Sequence, residues 1–470
     1  MRTRAAQVSL FLAAVLPSVV TAEEPPPRVV SLVPADGATD VAPHTRFIRV
    51  EFDQDMSEGS HSWVGGGDRF PRIRGRAYWD GPRVAVLPVA LEPEREYRLS
   101  LNSDRFRGFA SRSGVPLAPV PLAFRTGPAV PHDAAAEARA ENAAAVPVLQ
   151  RTIDRYYSYR DRLKVDWAAA FAEAEPRLAS AASPAEFAER AAELLGRAGD
   201  LHVTLECEGR VLATHARAVT PNGRRTTLAR IVPEWQEPSA VVATGRWPDG
   251  VGYTLIASWE RGQAEALDPA FAALDEFADA PALIIDARFN AGGDEELARR
   301  FAGCFTARPT LYARSVIRTP DQRGGWSPPQ SREVVPTRGR PRWRGPVAVL
   351  MGPYCMSSNE SFLLMMRHGA DATLVGTPSF GSSGNPRPYG LPNGVVVYLP
   401  SWKDLLPDGT PLEGKGIQPD VPVAAEPGAF EEADPVLEAA LRHVRAVAES
   451  RPARPSEPAP RPPPRPREDV

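Results

Sequence analysis

Four short segments of this chain bring together the residue types that acyl transfer requires. Ser357 opens Ser357-Ser358-Asn359-Glu360, directly after the apolar run GPVAVLMG (345–352) and a PYCM turn. A hydroxyl at a strand-to-helix junction can act as a nucleophile, because the helix's free N–H groups and positive dipole end stabilise an oxyanion. The same letters also spell a capping box, in which the Ser357 oxygen accepts the Glu360 N–H and the Glu360 carboxylate bonds back. A second segment, Asp286-Ala287-Arg288-Phe289-Asn290-Ala291-Gly292-Gly293, ends a buried strand. Its paired glycines let backbone approach a ligand and aim N–H groups at it, as an oxyanion donor must, or else they relieve crowding in a tight loop before an Asp294 N-cap.

The third segment is Gly199-Asp200-Leu201-His202, where helix gives way to strand. Of the seven histidines, His202 is favoured as a general base because a polar Asp-x-His at an element boundary can face a cleft; His215 lies in the same region, and position alone leaves it open. The fourth is Pro407-Asp408-Gly409-Thr410-Pro411-Leu412-Glu413-Gly414 and its continuation to Asp420. A carboxylate in a glycine-flanked turn can orient a histidine, although a single glutamate in a loop is more commonly just exposed.

The elements that must carry these residues are readable from periodicity. Between residues 200 and 425, apolar runs at 251–259, 281–288, 345–352, 372–376 and 394–402 alternate with helical stretches over 263–279, 294–305 and 357–367. Such alternation predicts βαβ crossovers and a sheet covered on both faces, with the site beyond the carboxyl ends of the strands. Residues 131–198 are rich in alanine, glutamate and arginine at helical spacing, with Ser183-Pro184-Ala185-Glu186 as a helix start, and predict a helical subdomain. Residues 28–127 show short alternating runs (VVSLVP, FIRVEF, AVLPV, YRLSL, PLAFRT), which predict an all-β sandwich.

Taken in order, LIIDARFNAGG, GPVAVLMGPYCMSSNE, ATLVGTPSFGSSGNP, LPNGVVVYLPSW and PDGTPLEGKGIQPDV resemble the tail-specific, or C-terminal-processing, serine proteases. The resemblance spans roughly residues 200–425 and implies a ClpP/crotonase-like α/β core with Ser357 as nucleophile and Ser358 as the second candidate. Classical members activate the serine with the lysine of a Phe-Gly-Lys-Gly segment. Here that segment reads Phe380-Gly381-Ser382-Ser383-Gly384, so a dyad would need Lys403 or Lys415 to fold into the site. The chain is instead similar to the tricorn-core branch, which implies a triad of Ser357, His202 and Glu413, with the N–H groups of Ser358 and the Gly292-Gly293 turn as the oxyanion hole. Classical members also carry a PDZ module, and residues 203–250 show no carboxylate-binding glycine loop. The wording of residues 28–127, with PADGATDV and FDQDM, resembles a bacterial immunoglobulin-like domain.

The expected function is hydrolysis of peptide bonds in protein or peptide substrates through an acyl-enzyme, with no cofactor and no metal. The alternative is a non-catalytic ligand- or peptide-binding protein on the same fold. A net charge of −3, from 55 basic and 58 acidic residues, gives no footprint for nucleic acid. Residues 1–22 read as a signal peptide, with Arg2 and Arg4, an apolar stretch and a Val20-Thr21-Ala22 cleavage site, so a periplasmic or secreted bacterial protein with no membrane segment after cleavage is expected. The expected organisation continues with a core domain over 199–427, a helix over 433–448 and a disordered Pro/Arg-rich tail over 449–470. Cys207, Cys304 and Cys355 allow at most one internal disulfide.

Overall fold

A computed structural model describes residues 25–451 other than 59, 130, 132, 217 and 320–324. The expected signal peptide and nearly all of the expected tail lie outside the described residues. The chain divides at Asp133/Ala134 into two compact units.

The first unit is the expected β-sandwich. Strands Val29–Val33, Phe47–Phe52, Val84–Ala90 and Arg72–Ile73 pair in that order, and Trp63–Val64, Glu96–Leu101 and Val120–Arg125 form a second sheet. Strand Phe47–Phe52 alternates as a half-buried strand must, sending Ile48, Val50 and Phe52 inward. They meet Leu87 from the neighbouring strand and Leu99, Leu101 and Phe124 from the facing sheet.

The second unit is built on a six-stranded sheet in the order Val242–Arg246, Gly252–Ile256, Leu283–Asp286, Val347–Met351, Thr373–Gly376 and Val421–Pro422. The first pair is antiparallel and the rest are parallel. Helices Asp268–Glu276, Glu295–Ala302 and Ser358–Gly369 cover one face, while Arg225–Ile231 and Pro435–Ser450 cover the other. Burial on both faces explains why Leu283–Asp286 and Val347–Met351 are continuously apolar or buried rather than alternating.

Two expectations change. The run at 394–402 does not join the parallel sheet, because the Asn393-Gly394 turn, with Gly394 at φ +82°, sends the chain into an antiparallel hairpin. Strand Val396–Pro400 pairs with Pro386–Gly390 and with Thr204–Cys207 in a separate four-stranded sheet, and Trp402–Leu405 continues into a third, against Thr310–Ile317. Nor are the helices of 131–198 a free-standing subdomain. Helices Ala134–Tyr156, Trp167–Ala179 and Pro184–Leu195 close one core with that four-stranded sheet, with Leu149, Phe171, Phe187 and Leu194 against Leu205, Val397 and Leu399. Ser183 caps its helix as expected, accepting the Glu186 N–H.

Candidate active site

Strand Val347–Met351 delivers the chain to Ser357, which sits at φ +55°, ψ −129° immediately before helix Ser358–Gly369. A non-glycine residue at positive φ costs about 1–3 kcal/mol and persists only where its surroundings enforce it. Here the Ser357 N–H donates to the Ser382 carbonyl (2.8 Å), while Gly292 lies against its Cβ. The capping box does not form. Glu360 N–H bonds the Ser357 carbonyl at 2.8 Å, and no side-chain cap is made. Among the described residues the Ser357 hydroxyl has no hydrogen-bond partner, and it opens onto a cleft of about 390 Å³ walled by Glu260, Arg261, Asp294, Glu295, Asn385 and Trp402.

The Glu360 carboxylate points instead into the protein, where it accepts the Ser379 hydroxyl, the Gly381 N–H (2.8 Å) and the Ser382 N–H (3.0 Å). Burial pushes it up to about 7 against these three donors, which favour the charged form. It thereby holds the loop that presents Ser382 and Ser383 to the site.

His202 reaches this loop from the other core. Its Nδ1 lies 3.0 Å from the Ser382 hydroxyl and 3.7 Å from Asp200 Oδ1. Asp200 is fully buried. One of its oxygens accepts the His202 backbone N–H (2.9 Å) and the other the Tyr157 hydroxyl (2.8 Å). Glu413 arrives on the turn before Gly414, and its Oε2 accepts the Ser383 N–H at 3.0 Å rather than bonding the imidazole. Burial, then the Asp200 charge, push its carboxyl up to about 8. Among the described residues His202 and the Ser357 hydroxyl share no hydrogen bond, though Ser382 bonds both the His202 ring and the Ser357 backbone N–H; catalytic contacts of this kind commonly tighten only around substrate. His215 lies beyond hairpin 204–213 and, among the described residues, makes no bond to these groups.

The oxyanion turn is tightly determined. Gly292 and Gly293 have φ of +108° and +135°. A Cβ on Gly292 would stand 2.8 Å from the Met356 carbonyl and 2.9 Å from Ser357 Cβ, and one on Gly293 would meet Trp259 backbone at 2.3 Å. The Gly292 N–H is taken by Asn290 Oδ1 (2.8 Å), so this glycine contributes close approach rather than a donor. Ser358 Oγ donates to the Gly293 carbonyl (2.6 Å), which occupies the second-ranked hydroxyl and pins the turn to the helix.

Neither lysine supplies a dyad: the Lys403 ammonium lies 3.9 Å over the Trp326 ring, and Lys415 is exposed on its turn. No group of side chains that could hold a metal ion occurs among the described residues. Asp200 and Asn290 had visible signals, an Asp-x-His and an Asn-x-Gly, whereas the three-donor grip of Glu360 on residues 379–382 had none.

Residues 250–423 match the family Peptidase family S41, and residues 23–126 match Bacterial Ig-like domain. Among solved structures, a putative peptidase from Parabacteroides merdae is 23% identical, with a TM-score of 0.56 over 67% of this chain and 99% of its own. A mutant of CPAF is 13% identical, with a TM-score of 0.50 over 67% of this chain and 98% of its own. Both share the fold. The chain thus carries, behind a bacterial Ig-like domain, a domain of peptidase family S41 and is a serine-type peptidase.

Proposed function

We propose that the S41 domain hydrolyses peptide bonds through a triad of Ser357, His202 and Glu413 and an acyl-enzyme. The observation that carries this is the Ser357 backbone: it is held at positive φ at a helix N-terminus, and its hydroxyl is left out of capping and open to a cleft. In the first step Ser357 Oγ attacks the substrate carbonyl carbon while His202 takes its proton. The oxyanion is met by the Ser358 and Gly293 N–H groups at the positive end of helix Ser358–Gly369. The imidazolium returns the proton to the leaving amine, and water then repeats the sequence on the ester. Glu413 stands near His202 and, once ionised, favours the imidazolium by its charge. Substrates are extended peptide segments that fit the cleft beside Trp402, and the site of action is outside the cytoplasm. The charged, apolar and small-residue pattern of residues 1–22 supports that location, as does an Ig-like domain ahead of the protease.

A fluorophosphonate that labels serine hydrolases tests the assignment. It is expected to label the wild-type chain and to leave Ser357→Ala unlabelled, with peptidase activity falling by about 10³-fold or more. Labelling that persists in Ser357→Ala, or unchanged activity, rejects it.

A further inference from the structure

We propose that Ser382 is a positioning residue of this reaction, rather than a filler in the loop: its hydroxyl fixes the Nδ1 edge of His202 and leaves Nε2 as the base. This rests on the triad reading above. All three polar groups of Ser382 are engaged, each with a different part of the site. Its N–H donates to the buried Glu360 carboxylate (3.0 Å), its carbonyl accepts the Ser357 N–H (2.8 Å), and its hydroxyl lies 3.0 Å from His202 Nδ1. The residue therefore spans from nucleophile to base.

The neighbours of Nδ1 decide the tautomer. Ser382 Oγ and, farther off, Asp200 Oδ1 both face it, and both can accept a proton. A neutral imidazole carries one N–H, and it is best placed where the acceptors are, so Nε2 is left unprotonated and basic. Glu413 makes no hydrogen bond to the ring among the described residues: its Oε2 accepts the Ser383 N–H next along the loop, and its Oε1 lies 4.0 Å from Arg162 Nε. Ser382 supplies the contact that the acid of a triad ordinarily makes, and the Asp200 carboxylate lies 3.7 Å from the same ring nitrogen.

In the chemical step the Ser357 Oγ–H bond breaks as Oγ bonds the carbonyl carbon, and the proton goes to Nε2. The Nδ1–H stays in place, donating to Ser382 Oγ. The Nε2 proton then leaves with the amine, so Ser382 neither gains nor loses a proton in the cycle. Its contribution is orientation, and misplacing a base by about 1 Å costs up to roughly 100-fold.

The test is steady-state peptidase kinetics from about pH 5 to about pH 9 on full-length Ser382→Ala, Ser382→Thr and His202→Ala, with melting temperatures alongside. The charged and titratable groups around the ring, Asp200 on its own loop, Glu413 on the turn before Gly414, and Tyr157 and Arg162 behind them, are the same in both Ser382 variants. Ser382→Ala is expected to lower kcat about 10- to 100-fold with KM within about twofold, and to move the acid limb of the profile to lower pH, because an acceptor of the imidazolium proton is gone. Ser382→Thr, which keeps the hydroxyl, is expected to recover kcat to within about threefold and to restore the limb. An unchanged kcat or an unmoved limb in Ser382→Ala overturns the assignment. So does a Ser382→Thr that fails to rescue while its melting temperature matches the wild type. Full activity in His202→Ala would instead overturn the triad itself, whereas loss in His202→Ala with no limb movement in Ser382→Ala removes only the role of Ser382.

Discussion

Glu360 and Glu413 are two buried carboxyls gripping one loop, and both hold their protons more tightly folded than unfolded. Each is raised from an ordinary 4.5, to about 7 and about 8 respectively, chiefly by burial. A carboxyl raised on folding contributes stability that is fully present below its unfolded value and is lost as pH rises through the folded one. The melting temperature is therefore expected to fall between about pH 5 and about pH 9, and Glu413→Gln to fall less steeply, because one proton-linked term is removed. Melting curves across that window check this, and equal slopes for variant and wild type contradict it. At the same scale, the sequence disclosed Ser357, His202 and Glu413 as types in suitable settings, but not what each one touches. The local Ser-x-x-Glu spacing pointed to a capping box. The long-range donors at 379, 381 and 382 outbid it for the carboxylate, and no local pattern reports a partner about twenty residues away.

Strand Leu283–Asp286 and helix Pro435–Ser450 are joined by a charge cluster wholly removed from water. Arg288 bonds both oxygens of Asp286 (2.7 and 3.0 Å), Asp434 (3.0 Å) and the Asn222 carbonyl (2.6 Å), and Tyr253 donates to Asp286. Asp434 is also the N-cap of its helix, accepting the Leu437 N–H. Removing one partner of a buried pair leaves an uncompensated charge, so Asp434→Ala is expected to lose about 3–5 kcal/mol in urea unfolding. A loss below about 1 kcal/mol would show the cluster to be incidental. The parallel strands were legible because burial on two faces makes them continuously apolar; helices Asp268–Glu276 and Glu295–Ala302 fall within their expected runs, and Ser358–Gly369 overruns the expected 357–367. The hairpin at 394–402 was misassigned because an equally apolar strand can belong to either sheet; the Asn-Gly turn, a hairpin signal, was the cue that decided it.

The two compact units each enclose their own core, and the described machinery of Ser357, His202, Glu413 and Ser382 falls entirely in the second. A chain beginning at residue 131 is therefore expected to fold and to be labelled by a fluorophosphonate at a rate within about twofold of the full-length protein. A tenfold slower rate would assign the Ig-like domain a part in the chemistry. Among the described residues no helix is long and apolar enough to cross a membrane.

All three cysteines are free and buried, and they are shared between two cores: Cys304 and Cys355 under the parallel sheet, and Cys207 beneath the helices and the four-stranded sheet. Cys355 also donates to the Ala287 carbonyl, directly beneath the oxyanion turn. The protease domain is thus held together without a disulfide. Each thiol is a native clock for the core around it: the rate at which a small alkylating reagent consumes Cys207 times the breathing of the histidine-bearing half, while Cys355 times that of the serine-bearing half.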